Sequence, residues 1–201
     1  MDIFVYEKQC REAGYSCICG IDEAGRGPLF GDVYAAAVIL PENAEFDGLN
    51  DSKKLTEKKR ELLYDKIISV ALAYGIASAS PMEIDEINIL NATYLAMMRA
   101  YNTLKPTPDF VLVDGNRLPL ELKAPARAIV KGDAKSASIA AASILAKVSR
   151  DRIMRLEAKK YPKYGFDRHK GYPTKAHYEA IKEYGVLEGH RKSFLKNLAE
   201  K

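Results

Sequence analysis

The sequence predicts an α/β fold, a mixed five-stranded sheet flanked by helices. Three observations predict it. Two apolar runs, residues 16–22 and 33–40, flank a short glycine-rich stretch and read as a hairpin. Later apolar runs alternate with long stretches of helical spacing, the pattern of a sheet covered on both faces. Three of the runs lead into an acid that stands beside or close to a glycine: Asp22-Glu23, Asp114-Gly115 and Gly132-Asp133.

The elements follow in order. In 16–22, Cys17 and Cys19 alternate with Ile18 and should share one face. Residues 33–40, VYAAAVIL, form the second strand. Over 55–72, Leu55, Leu62, Leu63, Ile67 and Val70 recur at helical spacing, and Thr56 with Glu57 can start that helix. Residues 73–79 read as a third strand, stopped by Pro81. Residues 81–104 read as one helix whose buried stripe runs through Ile84, Ile87, Leu90, Tyr94, Met97, Met98 and Tyr101. Residues 110–113 form a short buried strand that ends at Asp114, and 128–130 repeat that design. The long helix 136–159 begins with a run of Ala and Ser, small enough to let it lie close against a neighbour. The tail holds a Tyr-, Gly- and Pro-rich loop (161–173), a short helix after Thr174 and a last helical stretch near 191–198.

The chain is long enough for one well-buried core and short for two. Residues 1–150 are expected to form it. Residues 151–201 are expected to be a basic helical C-terminal extension packed on the core as part of a single structural unit. Charge follows that division. Residues 1–146 hold 16 Lys+Arg and 20 Asp+Glu, whereas residues 147–201 hold 15 and 7. An acidic body with a basic tail suits a polyanion held over a cation site, although lysine-rich solvated helix faces look similar. No run of 18 apolar residues excludes a soluble chain, and no basic-then-apolar leader opens it, so a cytoplasmic protein with no membrane role is expected. Cys10, Cys17 and Cys19 are too few for a disulfide framework, and His169, His177 and His190 are not spaced as zinc ligands.

Asp22, Glu23, Asp114 and Asp133 stand at the ends of three strand candidates, and neighbouring strand ends of such a sheet converge where ligands bind. Clustered carboxylates repel one another unless cations sit among them, and oxygen-only donors favour Mg²⁺ or Mn²⁺. Two such ions about 4 Å apart suit phosphodiester chemistry. Asp133, just before a long helix, also reads as a helix cap. After Asp22 and Glu23 comes the turn Gly25-Arg26-Gly27, whose glycines let backbone amides approach a ligand and whose arginine suits a phosphate.

Together these strings resemble a known family. Asp22-Glu23-Ala24-Gly25-Arg26-Gly27-Pro28, Asp51-Ser52-Lys53-Lys54-Leu55, Val113-Asp114-Gly115 and Lys131-Gly132-Asp133 resemble ribonuclease HII of bacteria and archaea. So do SIAAASILAKVSRDR and Tyr164-Gly165-Phe166 with His169-Lys170-Gly171-Tyr172-Pro173-Thr174, in order between about residues 16 and 190. The resemblance implies a ribonuclease H-like fold and a metal-dependent endonuclease. Its substrates would be the RNA strand of RNA–DNA hybrids and single ribonucleotides embedded in duplex DNA. It implies that Asp22, Glu23, Asp114 and Asp133 hold Mg²⁺ or Mn²⁺, two ions with substrate bound. It implies that Gly25, Arg26 and Gly27 contact the ribonucleotide, that Lys53 and Lys54 bind phosphates, and that Tyr172 lies under the ribose. The 2′-OH is the group such a site must read. Arg26 and the short N-terminus point away from the sister family, ribonuclease HIII. A non-catalytic hybrid-binding protein, or another phosphotransferase of this fold, would be the alternative. Nothing in the residues demands more than a monomer.

Overall fold

The computed structural model describes residues 2–44, 46, 49 and 55–195. Strands β1 (Ile18–Ala24), β2 (Val33–Ile39), β3 (Ala73–Ala79), β4 (Phe110–Asp114) and β5 (Ala126–Ile129) form one sheet in the order β3-β2-β1-β4-β5. The pairs β1–β2 and β2–β3 are antiparallel, and β1–β4 and β4–β5 are parallel. This is the mixed five-stranded sheet the sequence predicts. Its parallel half directs the carboxyl ends of β1, β4 and β5 to one edge, and the acids lie there.

Helix α3 (Pro81–Asn102) covers one face, over Ile21, Val33, Ala35, Ala37 and Ile39. Helices α2 (Glu57–Val70) and α4 (Ala137–Lys160) cover the other, over Ala36 and Val38. The alternation of strand side chains divides β2 cleanly between the two layers. Cys17 and Cys19 share the α3 face, as expected, and all three cysteines are free thiols. Helix α4 runs unbroken through residue 150, and its later turns meet a separate cluster of Leu29, Phe30, Tyr164, Phe166 and Ile181. Phe30 stacks on Phe166 at 4.2 Å between centroids, which ties the β1–β2 connection to the tail.

Several elements differ from expectation. Helix α1 (Val5–Glu12) is not among the elements the sequence predicts. Its buried Glu7 accepts from Ser136 Oγ (2.6 Å), Ser138 N (3.0 Å) and Ser138 Oγ (2.6 Å). The serines at the head of α4 are therefore polar partners as well as small packers. Helix α3 is interrupted at Asn88 (φ 66°), whose side chain accepts from Leu90 N and Asn91 N and restarts the helix. Leu62 on α2 is 63% exposed, because Leu63 and Ile67 take the inward positions. Strand β5 ends at Ile129 and leaves Val130 exposed. Near 191–198 the described residues contain only a 3₁₀ turn, Lys192–Phe194; residues 196–201 lie outside the description.

Helix α4 approaches β1 very closely. A methyl group added at Gly20 would fall 2.1 Å from the Ser138 carbonyl carbon and 2.3 Å from Ile139 N. Backbone cannot give way as a side chain does. Gly20→Ala is therefore expected to destabilise the fold by about 1–3 kcal/mol or more through overpacking. The test is the urea-unfolding midpoint; a midpoint equal to that of wild type would contradict the close approach.

Candidate active site

Asp22 and Glu23 lie in the last three residues of β1, and successive strand residues point to opposite faces. Asp22 turns toward α4, where Ser143 bonds its carboxylate, and is only 5% exposed. Glu23 turns toward α3 and lines a cleft with Leu90, Thr93, Tyr94 and Met97. Three residues of the expected buried stripe, Leu90, Tyr94 and Met97, thus form a cleft wall. Asp114 ends the neighbouring strand β4, in register just past the Ile21–Val113 pair. Its Oδ1 accepts from Gly132 N at 2.6 Å, which draws the turn after β5 against it. Asp133 lies in that 3₁₀ turn, Gly132–Ala134, and is 6% exposed. The N-cap of α4 is Ser136, so Asp133 is not the cap of the long helix.

Electrostatics binds the first three acids together. Burial, then repulsion from Glu23 and Asp114, lifts the Asp22 carboxyl well above the usual carboxylate range, against hydrogen bonds from Ser143 and the Glu23 N–H. Burial also lifts Glu23; Arg26 pulls it down and Asp114 pushes it up. Arg26 stands 3.5 Å from Glu23 with its side chain half exposed. Such a group fits a hard divalent cation, because every donor is a carboxylate oxygen and the cluster holds more like charge than Arg26 offsets. Among the described residues, no three His, Cys, Asp or Glu side chains are gathered closely enough to hold a metal ion. Strand register brings the acids to one edge and leaves their final arrangement open.

The Gly25–Gly27 turn follows directly, with Gly25 at φ +94°. Tyr172 covers it: a methyl added at Gly27 would touch the ring at 3.6 Å. The ring is 39% exposed. A second cleft opens between Glu23, Gly25 and Tyr172, and Arg60, Ser143 and Lys147 complete its wall. Asn116 and Arg117 line the first cleft beyond Asp114. None of these five was singled out from the sequence. The i,i+4 spacing of Ser143 and Lys147 on α4 places them on one face and was the available signal. Lys53 and Lys54 lie outside the described residues.

Two arginines support the turn from below. Arg191 is fully buried and donates to the carbonyls of Gly25 (2.7 Å), Arg26 (3.0 Å) and Gly31 (2.9 Å). Arg150, 1% exposed, donates to Phe30 O, Asp32 O and Lys170 O. Burial, with Arg150 as a like charge close by, pushes Arg191 down to about 9, still protonated at neutral pH.

The three histidines hold the Tyr172 loop, and their partners assign each tautomer. Leu187 N donates to His190 Nδ1 (2.9 Å), so His190 Nε2–H donates to His177 Nε2 (3.2 Å), and His177 Nδ1–H donates to Tyr172 O (3.0 Å). His169 accepts from Gly171 N at Nδ1 and donates from Nε2 to Tyr164 O (2.7 Å). All six ring nitrogens are engaged with the rings neutral, which leaves no histidine for acid–base work.

The chain matches the family model for ribonuclease HII over residues 19–197. It is 57% identical over 197 residues to a ribonuclease HII of Acetivibrio thermocellus, which covers 98% of this chain and 77% of that protein. It is 59% identical over 183 residues to a ribonuclease HII of Shewanella oneidensis, covering 89% of this chain and 88% of the relative. Its structure resembles the crystal structure of ribonuclease H2 from Pyrococcus horikoshii OT3, with a TM-score of 0.74 at 30% identity, over 89% of this chain and 93% of that one.

The histidine network carries a pH dependence. Burial lowers His177 and His169, and burial with His177 as neighbour lowers His190 to about 4. The unfolded chain titrates near the ordinary value of 6.5 and so binds protons that the folded chain refuses. The stabilisation is complete above pH 6.5 and is lost as pH falls through about 4. In urea unfolding at pH 7 and pH 5, wild type is expected to lose more stability than His190→Gln, which lacks one titrating ring. Parallel losses would contradict the assignment.

Proposed function

The chain belongs to the ribonuclease HII family and is an endoribonuclease acting on RNA paired with DNA. From that premise we propose that it hydrolyses RNA in hybrids and cuts 5′ to single ribonucleotides embedded in duplex DNA, leaving a 3′-hydroxyl and a 5′-phosphate. One observation carries the reading: Asp22, Glu23 and Asp114 interact electrostatically at one sheet edge, Asp133 follows the Gly132 that Asp114 holds, and the glycine turn after Glu23 is roofed by Tyr172.

Asp22, Glu23, Asp114 and Asp133 would hold one or two Mg²⁺ or Mn²⁺ ions. Such ions, when bound, supply Lewis-acid activation of water and neutralise charge on the phosphate. The chain's own residues position the substrate. The amides of the Gly25–Gly27 turn approach the ribose closely because no Cβ intervenes, and a 2′-OH can bond there. The Tyr172 ring offers a face to the sugar at the junction. Arg26, with Lys53 and Lys54, contacts phosphates, which position the duplex without reading sequence. Residues 151–201 act as a basic extension that holds the duplex over the core residues 1–150. The neutral, fully engaged histidines favour attack by water over attack by the neighbouring 2′-OH, which would need a general base and leave a cyclic phosphate.

The direct test is cleavage of a DNA duplex with one embedded ribonucleotide, with and without Mg²⁺. Asp114→Asn keeps shape and removes a ligand charge, so turnover is expected to fall by about 10²-fold or more with the melting temperature little changed. Near-normal turnover, or a 2′,3′-cyclic phosphate end, would sink the reading.

The recognition role of Tyr172 is tested separately on the same substrate. Tyr172→Ala is expected to cut turnover heavily, and Tyr172→Phe only by the loss of one hydrogen bond, about 0.5–1.5 kcal/mol. Equal activity of Tyr172→Ala and wild type would remove the loop from junction reading.

A further inference from the structure

We propose that Arg150 and Arg191 are positioning residues for ribonucleotide reading, a buried two-arginine clamp that aims the Gly25–Gly27 turn and locks it to the Tyr172 loop. The proposal rests on the function proposed above.

Burying a guanidinium is costly, and the usual offset is a carboxylate ion pair. Among the described residues neither arginine has one within 4.0 Å; Asp32 attracts both from farther away. Their six hydrogen bonds go instead to main-chain carbonyls of residues 25, 26, 30, 31, 32 and 170. All but the last lie in the irregular segment between β1 and β2, and Lys170 precedes Tyr172 by two residues. A rigid planar fork fixes the direction of several carbonyls at once, which a packed apolar side chain cannot do.

That direction matters for the ligand face. In a trans peptide the C=O and the following N–H point opposite ways. With Gly25 O and Arg26 O turned inward onto Arg191, the N–H groups of Arg26 and Gly27 are aimed away from it, and the Tyr172 ring lies against Gly27. Arg150 fixes the other half of the reader. Its guanidinium lies 5.7 Å from the centre of the Tyr172 ring, and its Nη1 holds Lys170 O at 2.9 Å. A methyl on Gly25 would fall 2.2 Å from Arg150 Nε, so Gly25 leaves the passage through which this arginine reaches the turn.

The test uses Arg191→Lys and Arg150→Lys, which keep the charge but cannot span three carbonyls. On a duplex with one embedded ribonucleotide, kcat is expected to fall about ten- to a hundredfold through misplacement of the reading groups, with KM changed less than about threefold. Hydrogen exchange of residues 25–27 is expected to quicken in Arg191→Lys while β1 stays protected. Arg150→Lys placed on Tyr172→Ala is expected to add little further loss, because it acts through that ring. A folded Arg191→Lys with wild-type kcat and wild-type exchange overturns the clamp, as does full additivity of Arg150→Lys with Tyr172→Ala. If one lysine variant does not fold, the other decides on the same readouts. Failure of wild type to cut this substrate would refute the proposed function instead, and hydrogen exchange would still decide whether the turn is clamped.

Discussion

The contact on which the molecule depends is the seating of α4 against Gly20 of β1. Because no side chain stands between the Gly20 Cα and the Ser138 backbone, α4 lies lower on the sheet than side-chain-mediated packing permits. Everything further along the helix inherits that height. Ser143 reaches Asp22, Lys147 reaches the second cleft, Arg150 passes under the glycine turn and Met154 enters the tail cluster. One helix thus sets the acids, the cleft wall, the turn and the Tyr172 loop relative to one another. The run of Ala and Ser in its first half is the condition for doing so.

Charge is managed in opposite ways on the two sides of the turn. On the acid side, like charges are crowded at a strand edge, lifted by burial and mutual repulsion, with Arg26 in partial opposition. Below the turn, two buried cations are satisfied by carbonyl dipoles. The first arrangement is responsive to an incoming cation, because binding relieves the repulsion. The second is rigid, because each donor has a fixed acceptor. The proposed work, gathering metal and substrate and reading one hydroxyl group, needs both properties a few residues apart.

The histidines add a third solution. Their engagement as neutral rings in a directional relay lets them fix a loop without bringing charge into a packed cluster. Phe166 packs edge-on to His177 and His169, so the relay is sealed in apolar surroundings. Spacing along the chain gave no hint that the three rings meet.

Much was legible from local patterns. The hairpin, the strand ending at Asp114, the Thr56 cap and the small-residue helix all follow from periodicity and turn chemistry within a few residues, and the structure has each of them, whereas β1 runs two residues past Asp22 to Ala24. The remainder depended on partners far apart in sequence. Arg150 finds Phe30 across 120 positions and Arg191 finds Gly25 across 166. Glu7, in a helix the sequence did not predict, finds Ser138 across 131. Arg60 and Lys147 meet at one cleft only because α2 and α4 pack side by side. No local pattern encodes such pairings. By itself the sequence determined the five strands, most of the helices, and that acids and glycines stand at or near their ends. Only the tertiary structure decided which backbone groups the buried charges hold and which way they face, since those bonds exist only after the sheet and α4 have closed on each other.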